Sequence, residues 1–358
     1  MLLADLGATV IRVDRKEPSC LGIPRPLQLD LVLRNRKSIR VDLKDPAGVA
    51  LVLDLVGRAN GLIEGFRPGV TERLGIGPEE CMRRNPRLVY GRATGWGQEG
   101  PLAQAAGHDI NYIAVTGVLA AIGRSNEPPS IPLNLIGDYA GGSLYLALGM
   151  LAAMLEAAAS GKGQVVDAAI VDGVASLTTF LVGMRAAKIF NEPRGKNILD
   201  SGAPFYEVYE CADGKYISIG AIEHKFYLEL LERLDLHDPD LVDQTDASKW
   251  PSVKRAIAAK FKTRTRAAWV ELLEGTDVCF APVLNFEEAP KHPHLEARRT
   301  FIDVAGVSQP APAPRFSRTA PRTPEPPAEM TTENAAAALA GWLSDSEIAA
   351  LRAAGTFI

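Results

Sequence analysis

Residues 139–155 pass from Tyr139 to Leu155 without one charged side chain, and this stretch constrains the fold more than any other. A helix so apolar has to be covered along most of its length. It is slightly shorter than the roughly 20 residues a membrane span needs. It also carries Gly141, Gly142, Ser143 and Gly149, so a buried core helix is expected. Around it, short apolar runs alternate with amphipathic ones, the pattern of an α/β protein whose helices cover a parallel sheet.

The first steps of that pattern are residues 1–6 as the back of a helix, a turn at Gly7 and a strand at 9–15. Further strands are expected at 38–41, 61–64, 88–94 and 164–170, with helices at 45–58, 109–122, 139–160 and 171–188. Asp45 and Pro46 supply an N-cap and a first helical residue. A sheet of this kind normally opens with a strand and a turn, so the first strand is expected to be missing. After a glycine-rich and charged linker at 194–202, the character changes to strands at 205–211 and 216–220 joined at Asp213-Gly214, followed by amphipathic helices. The fold class is therefore α/β: a Rossmann-like large domain with a parallel sheet (1–193, completed by 328–358) and a smaller α+β domain (203–300). A proline-rich return linker spans 301–327, and a capped helix is expected near Ser344.

The charge balance, 39 basic against 43 acidic residues with both signs scattered, gives no case for a nucleic-acid or membrane partner. Cys20, Cys81, Cys211 and Cys279 lie far apart with no C-x-x-C pair, which argues against a disulfide framework or a zinc site and for a reducing cytoplasm.

Chemistry concentrates at His108 and Asp138, each in a glycine-punctuated segment just before an apolar helical pattern. With Asp109 as N-cap, His108 sits beside the positive end of a helix dipole, which favours neutral imidazole. Its plain alternative is a histidine bonded to a loop. Asp138 reads either as an ordinary capping aspartate or as an acid sharing one proton with His108 as a coupled pair. A carbon held between them loses a proton on one face and regains it on the other, the wiring of a racemase. Glu223 closes a strand where a carboxylate can orient a histidine; an exposed loop glutamate is its plain reading, and His224 is the runner-up. Arg15, Arg34, Arg36, Lys37, Lys44, Arg67 and Arg73 gather near strand ends, where a crevice can take a phosphorylated handle, although each alone reads as surface charge. Gly95-Trp96-Gly97 does not fit the dinucleotide fingerprint and only Asp14 mimics its ribose-binding acid, so a NAD-dependent oxidoreductase ranks low.

Several of these segments share their wording with one family. Leu33-Arg34-Asn35-Arg36, Glu64-Gly65-Phe66-Arg67-Pro68-Gly69-Val70, Thr94-Gly95-Trp96-Gly97-Gln98, Gly107-His108-Asp109-Ile110-Asn111-Tyr112, Gly137-Asp138, Gly161-Lys162-Gly163-Gln164-Val165-Val166-Asp167 and Gly220-Ala221-Ile222-Glu223 resemble the α-methylacyl-CoA racemase branch of the CaiB/BaiF, or class III CoA-transferase, superfamily. The match spans nearly the whole chain. Its G-H-D-I-N-Y segment is specific to the racemase branch, and G-K-G-Q-V-V-D marks the superfamily.

The resemblance implies that His108 and Asp138 are the catalytic acid/bases, supported by Glu223 reaching in from the other subunit. It also implies a CoA site at Arg15, Val41, Asp42, Leu43, Lys44, Gly65, Phe66, Arg67, Arg73, Gly107, Asp109, Ile110, Asn111 and Tyr112. Relatives are interlocked homodimers, and they begin with a strand and glycine-rich turn ahead of the segment that starts here at Met1. The loop at 16–31 looks longer than theirs, so ligand contacts there are not carried over. The implied reaction exchanges (R)- and (S)-2-methylacyl-CoA thioesters in lipid and fatty-acid metabolism, with no metal or resident cofactor, CoA being part of the substrate. Two alternatives are a class III CoA transferase with Asp138 as nucleophile and a non-catalytic CoA-binding protein.

Overall fold

The apolar runs before residue 170 pair in parallel. The computed structural model describes residues 1–17, 22–190 and 193–358, so Cys20 lies outside the described residues. In it β1 (Ile11–Asp14) pairs with β2 (Lys37–Arg40). β3 (Gly61–Glu64), β4 (Val89–Thr94) and β5 (Val165–Ala169) form a second parallel group in that order. Alternation along β4 serves two faces. Tyr90 joins Val52 and Val56 of the helix Pro46–Val56 in one cluster, and Val89 joins Leu146 and Met150 of the helix Tyr145–Ser160 in another. Two glycines allow that second helix its close approach: a Cβ on Gly91 would stand 2.6 Å from Met150 Sδ, and one on Gly61 would stand 2.7 Å from Met150 Cε.

Only one stripe of the uncharged helix is covered. Leu144, Leu148, Leu151 and Leu155 are exposed, which corrects the expectation of a buried core helix. The helix is also longer than its pattern suggested, running through Leu135–Ser160, and by length and composition it could cross a membrane.

Asp45 caps its helix as expected, its carboxylate accepting from Ala47 N at 3.0 Å with Pro46 at the first helical position. The helix expected at 109–122 is instead two, Asp109–Val115 and Val118–Ala121, divided by Gly117 at φ 85°. That left-handed residue ends the first helix at little cost because it has no Cβ. The 171–188 helix is likewise divided, into Ile170–Leu177 and Thr179–Ala186.

The chain divides into two compact units. The first comprises Met1–His108, Gly137–Gly173 and Pro290–Ile358, the second Asp109–Ile136 and Val174–Ala289. This differs from the division read in the sequence, which kept 109–193 in the large domain. Local bonds explain the difference. Arg124 makes two hydrogen bonds to Glu207, and Arg194 donates to the carbonyls of Ala120 and Glu127, so residues 109–136 are held by the second unit's own chain.

The second unit has an antiparallel sheet, β6 (Tyr206–Glu210), β7 (Tyr216–Gly220) and β8 (Phe280–Pro282), over an aromatic core in which Phe261 contacts Tyr209 at 5.3 Å and Trp269 at 5.1 Å. In the first unit, the expected extended linker contains a hairpin, β9 (Phe301–Val304) and β10 (Val307–Pro310). The C-terminal helices Thr332–Leu339 and Asp345–Ala353 then pack Ala335, Leu339 and Ile348 with Ile39, Val41, Leu51 and Leu55. Ser344 and Glu347 form the capping box that opens the last helix.

Candidate active site

His108 is the last residue of the first unit before the chain crosses to the second, and it is exposed. Asp109 is the first residue of the helix Asp109–Val115 rather than the N-cap expected of it, and it is buried, only 4% exposed. Asp138 stands just past the point where the chain returns. It does not cap a helix. It lies inside a π-helical segment, Leu135–Leu144, where it is half-buried and its carbonyl accepts from Ser143 Oγ at 2.8 Å. Such wide turns in otherwise α-helical chain occur often at functional sites. Tyr139 therefore sits within the helical run, and the helix mouth moves to Leu135.

Glycines seat this segment. A Cβ on Gly173 would overlap Gly141 O, and a Cβ on Gly142 would stand 2.9 Å from Ile170 Cγ1. Next to that contact Val171 N donates to Gly95 O at 3.2 Å, tying the Asp138 segment's support to the Gly95-Trp96-Gly97 loop. The glycine punctuation around Asp138 is thus a packing requirement as well as a chemical hint.

Glu223 is exposed at the N-cap of the helix His224–Arg233, with no side-chain capping bond, and it belongs to the second unit. No single unit contains all three expected catalytic residues. His224 Nδ1 lies 3.3 Å from Gln244 Oε1, while Gln244 Nε2 donates to Ala221 O at 2.9 Å and Ile222 O at 2.8 Å. Gln244, which no motif singled out, thereby fixes the strand end that presents Glu223.

The expected CoA residues separate into four groups. Leu43, Lys44 and Arg73 line a cleft of about 460 Å³ with Val49, Leu53 and Leu74, an apolar floor edged by two cations. Asp42 Oδ1 accepts from Lys44 N at 2.9 Å and shapes that edge. Arg15, Gly65, Phe66 and Arg67 are exposed after strand ends, in the same unit, with Gly107 half-buried. Val41 is fully buried and bridges Phe357, so its side chain belongs to the core. Asp109, Ile110, Asn111 and Tyr112 fall in the second unit, with Asp109 and Tyr112 buried.

Arg34 leaves the basic crevice group altogether. It is buried, bonds both carboxylate oxygens of Asp5, and donates to Gln309 Oε1 at 2.8 Å and Pro310 O at 2.7 Å. Asn35 exchanges backbone and side-chain bonds with Glu325 beside it. These two residues fasten the return linker. Asp14, the mimic of a ribose-binding acid, is paired with Arg12 at 3.0 Å.

Sequence reasoning also missed two buried charge clusters. Arg92 on β4 bonds Glu64 and Glu72, and Glu207 on β6 bonds Arg124 and Lys254. The available signal was a charge at a buried position of each strand pattern, Arg92 alone in β4 and Glu207 beside Glu210 in β6. Burial pushes the Glu64 carboxyl above its usual range despite bonds from the Phe66 amide and Arg92. Burial also works to raise Glu207, but bonds from Arg124 and Lys254 outweigh it and hold the carboxyl below the usual range. Among the described residues, no group of three or more His, Cys, Asp or Glu is placed to hold a metal ion.

The profile of CoA-transferase family III matches residues 1–332. The chain is 44% identical over 320 residues to the alpha-methylacyl-CoA racemase of Mus musculus, a match covering 89% of this chain and 82% of that protein. It is 45% identical over 325 residues to the alpha-methylacyl-CoA racemase of Homo sapiens, with the same two coverages, 89% and 82%. Among solved structures, a CaiB/BaiF family protein from Brucella suis matches with a TM-score of 0.79 at 23% identity, covering 96% of this chain and 94% of that one, a likeness of fold.

Proposed function

We propose, from the premise that this chain belongs to CoA-transferase family III, that it acts as an α-methylacyl-CoA racemase, an isomerase that interconverts (R)- and (S)-2-methylacyl-CoA thioesters. The observation that carries this reading is the 44% and 45% identity to two racemases across most of the chain. The position of His108 and Asp138, at the exit from and return to one unit, supports them as the two proton carriers.

The chemistry follows from the thioester. Sulfur donates poorly into the carbonyl, so the C–H beside it is more acidic than in an ester, and a base on each face can pass through an enolate. His108 as neutral imidazole removes the proton from one epimer while protonated Asp138 supplies the other face, and the roles reverse for the opposite direction. Glu223 from a second subunit supports His108. The cleft floored by Leu43, Val49, Leu53 and Leu74 takes the CoA moiety, with Lys44 and Arg73 facing its phosphates. CoA arrives as part of the substrate, and no resident cofactor is required.

The same reading makes the protein an interlocked homodimer of the cytoplasm. The exposed stripe Leu144, Leu148, Leu151 and Leu155 supports it, since a second copy removes that surface from water. A second reading within the family is a CoA transferase in which Asp138 attacks a thioester as nucleophile, which the family assignment itself favours.

The deciding experiment incubates the protein with 2-methylacyl-CoA in D₂O. Deuterium at carbon 2 with conversion of either pure epimer to a mixture is expected. No exchange, together with hydroxylamine trapping of an acylated Asp138, would replace the racemase by the transferase.

A further inference from the structure

β4 is apolar and buried through Val89 and Tyr90, yet Arg92 on the same strand is also buried, only 9% exposed. Desolvating a guanidinium costs several kcal/mol, and even a well-paired one adds little net stability. Its particular capacity is geometric. The planar fork of N–H donors fixes the directions of whatever it binds.

Two of the segments expected to meet CoA lie in the two directions of that fork, the exposed 65–67 loop and the helix whose Arg73 lines the cleft. Arg92 Nε donates to Glu64 Oε1 at 3.1 Å. The other oxygen of that carboxylate, Glu64 Oε2, accepts the Phe66 N–H at 2.6 Å and so fixes the start of the 65–67 loop. A terminal nitrogen of Arg92 reaches the Glu72 carboxylate and, at 3.3 Å, Thr71 Oγ1. Those two residues lie on the helix Val70–Arg73, whose last residue lines the cleft. Tyr90, its ring 5.7 Å from the guanidinium carbon, donates its hydroxyl to Ile76 O at 2.9 Å and holds the turn after that helix.

We propose that Arg92 is the positioning residue of the CoA site, joining the 65–67 loop to the helix that lines the cleft. One buried guanidinium sets the 65–67 loop and the Arg73-bearing helix at a fixed separation, so both meet the CoA moiety already in place. Preorganisation of this kind lowers the ordering cost of binding without touching the reacting carbon. The inference rests on the CoA reading above.

The test measures kcat, KM and CoA affinity by calorimetry on folded dimer, with the thermal midpoint recorded for each variant. Arg92→Met is expected to raise KM and the CoA Kd about 10- to 100-fold while kcat falls less than about threefold. Arg92→Lys restores one arm of the fork and falls between it and the parent. Should Arg92→Met fail to fold, Glu72→Gln and Thr71→Val keep the cluster's shape and are expected to raise KM about two- to fivefold. Lys44→Ala and Arg73→Ala report on the cleft directly. If they weaken CoA binding and folded Arg92→Lys, Glu72→Gln and Thr71→Val do not, the positioning role is overturned alone. If none of the five changes CoA binding, the cleft reading falls and takes this proposal with it. A fall in kcat with unchanged KM would also overturn it.

Discussion

Two buried carboxylates, Glu64 in the first unit and Glu207 in the second, have opposite electrostatics although each is paired with arginine. Glu207, its side chain 2% exposed, is clasped by Arg124 at 2.8 Å and Lys254 at 2.9 Å, so one anion meets two cations. Glu64, 6% exposed, shares the single Arg92 with Glu72, so two anions compete for one cation. Burial is the largest influence on both and disfavours both ionised forms; two cations outweigh it at Glu207, whereas the single Arg92 does not at Glu64, where Glu72 adds a smaller push the same way as burial. Glu207 is held below the usual carboxylate range and Glu64 is pushed above it. The lesson is that pairing alone does not make a buried charge a fastener: the second unit's cluster is built to hold, whereas the first unit's keeps a hydrogen-bonded carboxyl whose ionised form is disfavoured.

Removing the anion breaks the comparison most severely. Glu207→Ala removes the buried acceptor of half-exposed Arg124 and part-buried Lys254 and is expected to cost about 2–3 kcal/mol, read from urea unfolding of the second unit's tryptophan signal. A loss below about 1 kcal/mol would mean the cluster is not a fastener. Glu64→Gln keeps a hydrogen-bonding shape and removes a disfavoured charge, so the expected loss is smaller, about 1–2 kcal/mol.

Acid separates the two sites by sign. Because the Glu207 carboxyl is depressed in the folded protein, its stabilisation is complete above the unfolded value of about 4.3 and is lost as pH falls through the folded value. Glu64 runs the other way: its folded value is raised, so ionisation costs stability as pH rises from the unfolded value through the folded one. Thermal midpoints from pH 3 to 7 should therefore climb less steeply in Glu207→Gln than in the parent, and more steeply in Glu64→Gln. Parallel curves for all three proteins would contradict the charge-ratio account. The smallest effect is a titration shift: Glu72→Gln removes the competitor and should lower the Glu64 carboxyl, followed by carbon NMR of that side chain.

The sequence was legible where local rules act alone. Asp45-Pro46, Asp213-Gly214 and the Ser344–Glu347 box all sit where capping and turn chemistry put them. It was less legible where a partner distant in the chain decides. Arg34 reads as a surface cation until Asp5, Gln309 and Pro310 surround it. Phe280-Ala281-Pro282 is too short to announce a strand, and β7 recruits it. At the candidate site, the residue types at 108 and 138 were readable, but the π-helical turn around Asp138 was not, because it depends on Gly141 meeting Gly173. Arg92 and Glu207 stayed hidden because a charge in a strand pattern does not reveal its partners.

The central claim, one proton carrier on each face of carbon 2, is tested most directly by following solvent deuterium separately into each pure epimer with His108→Ala and Asp138→Ala. Each variant should abolish interconversion yet retain exchange of one epimer, a different one for each, because the surviving group can still remove and return a proton on its own face. Exchange of both epimers undiminished in either variant would contradict the two-face account.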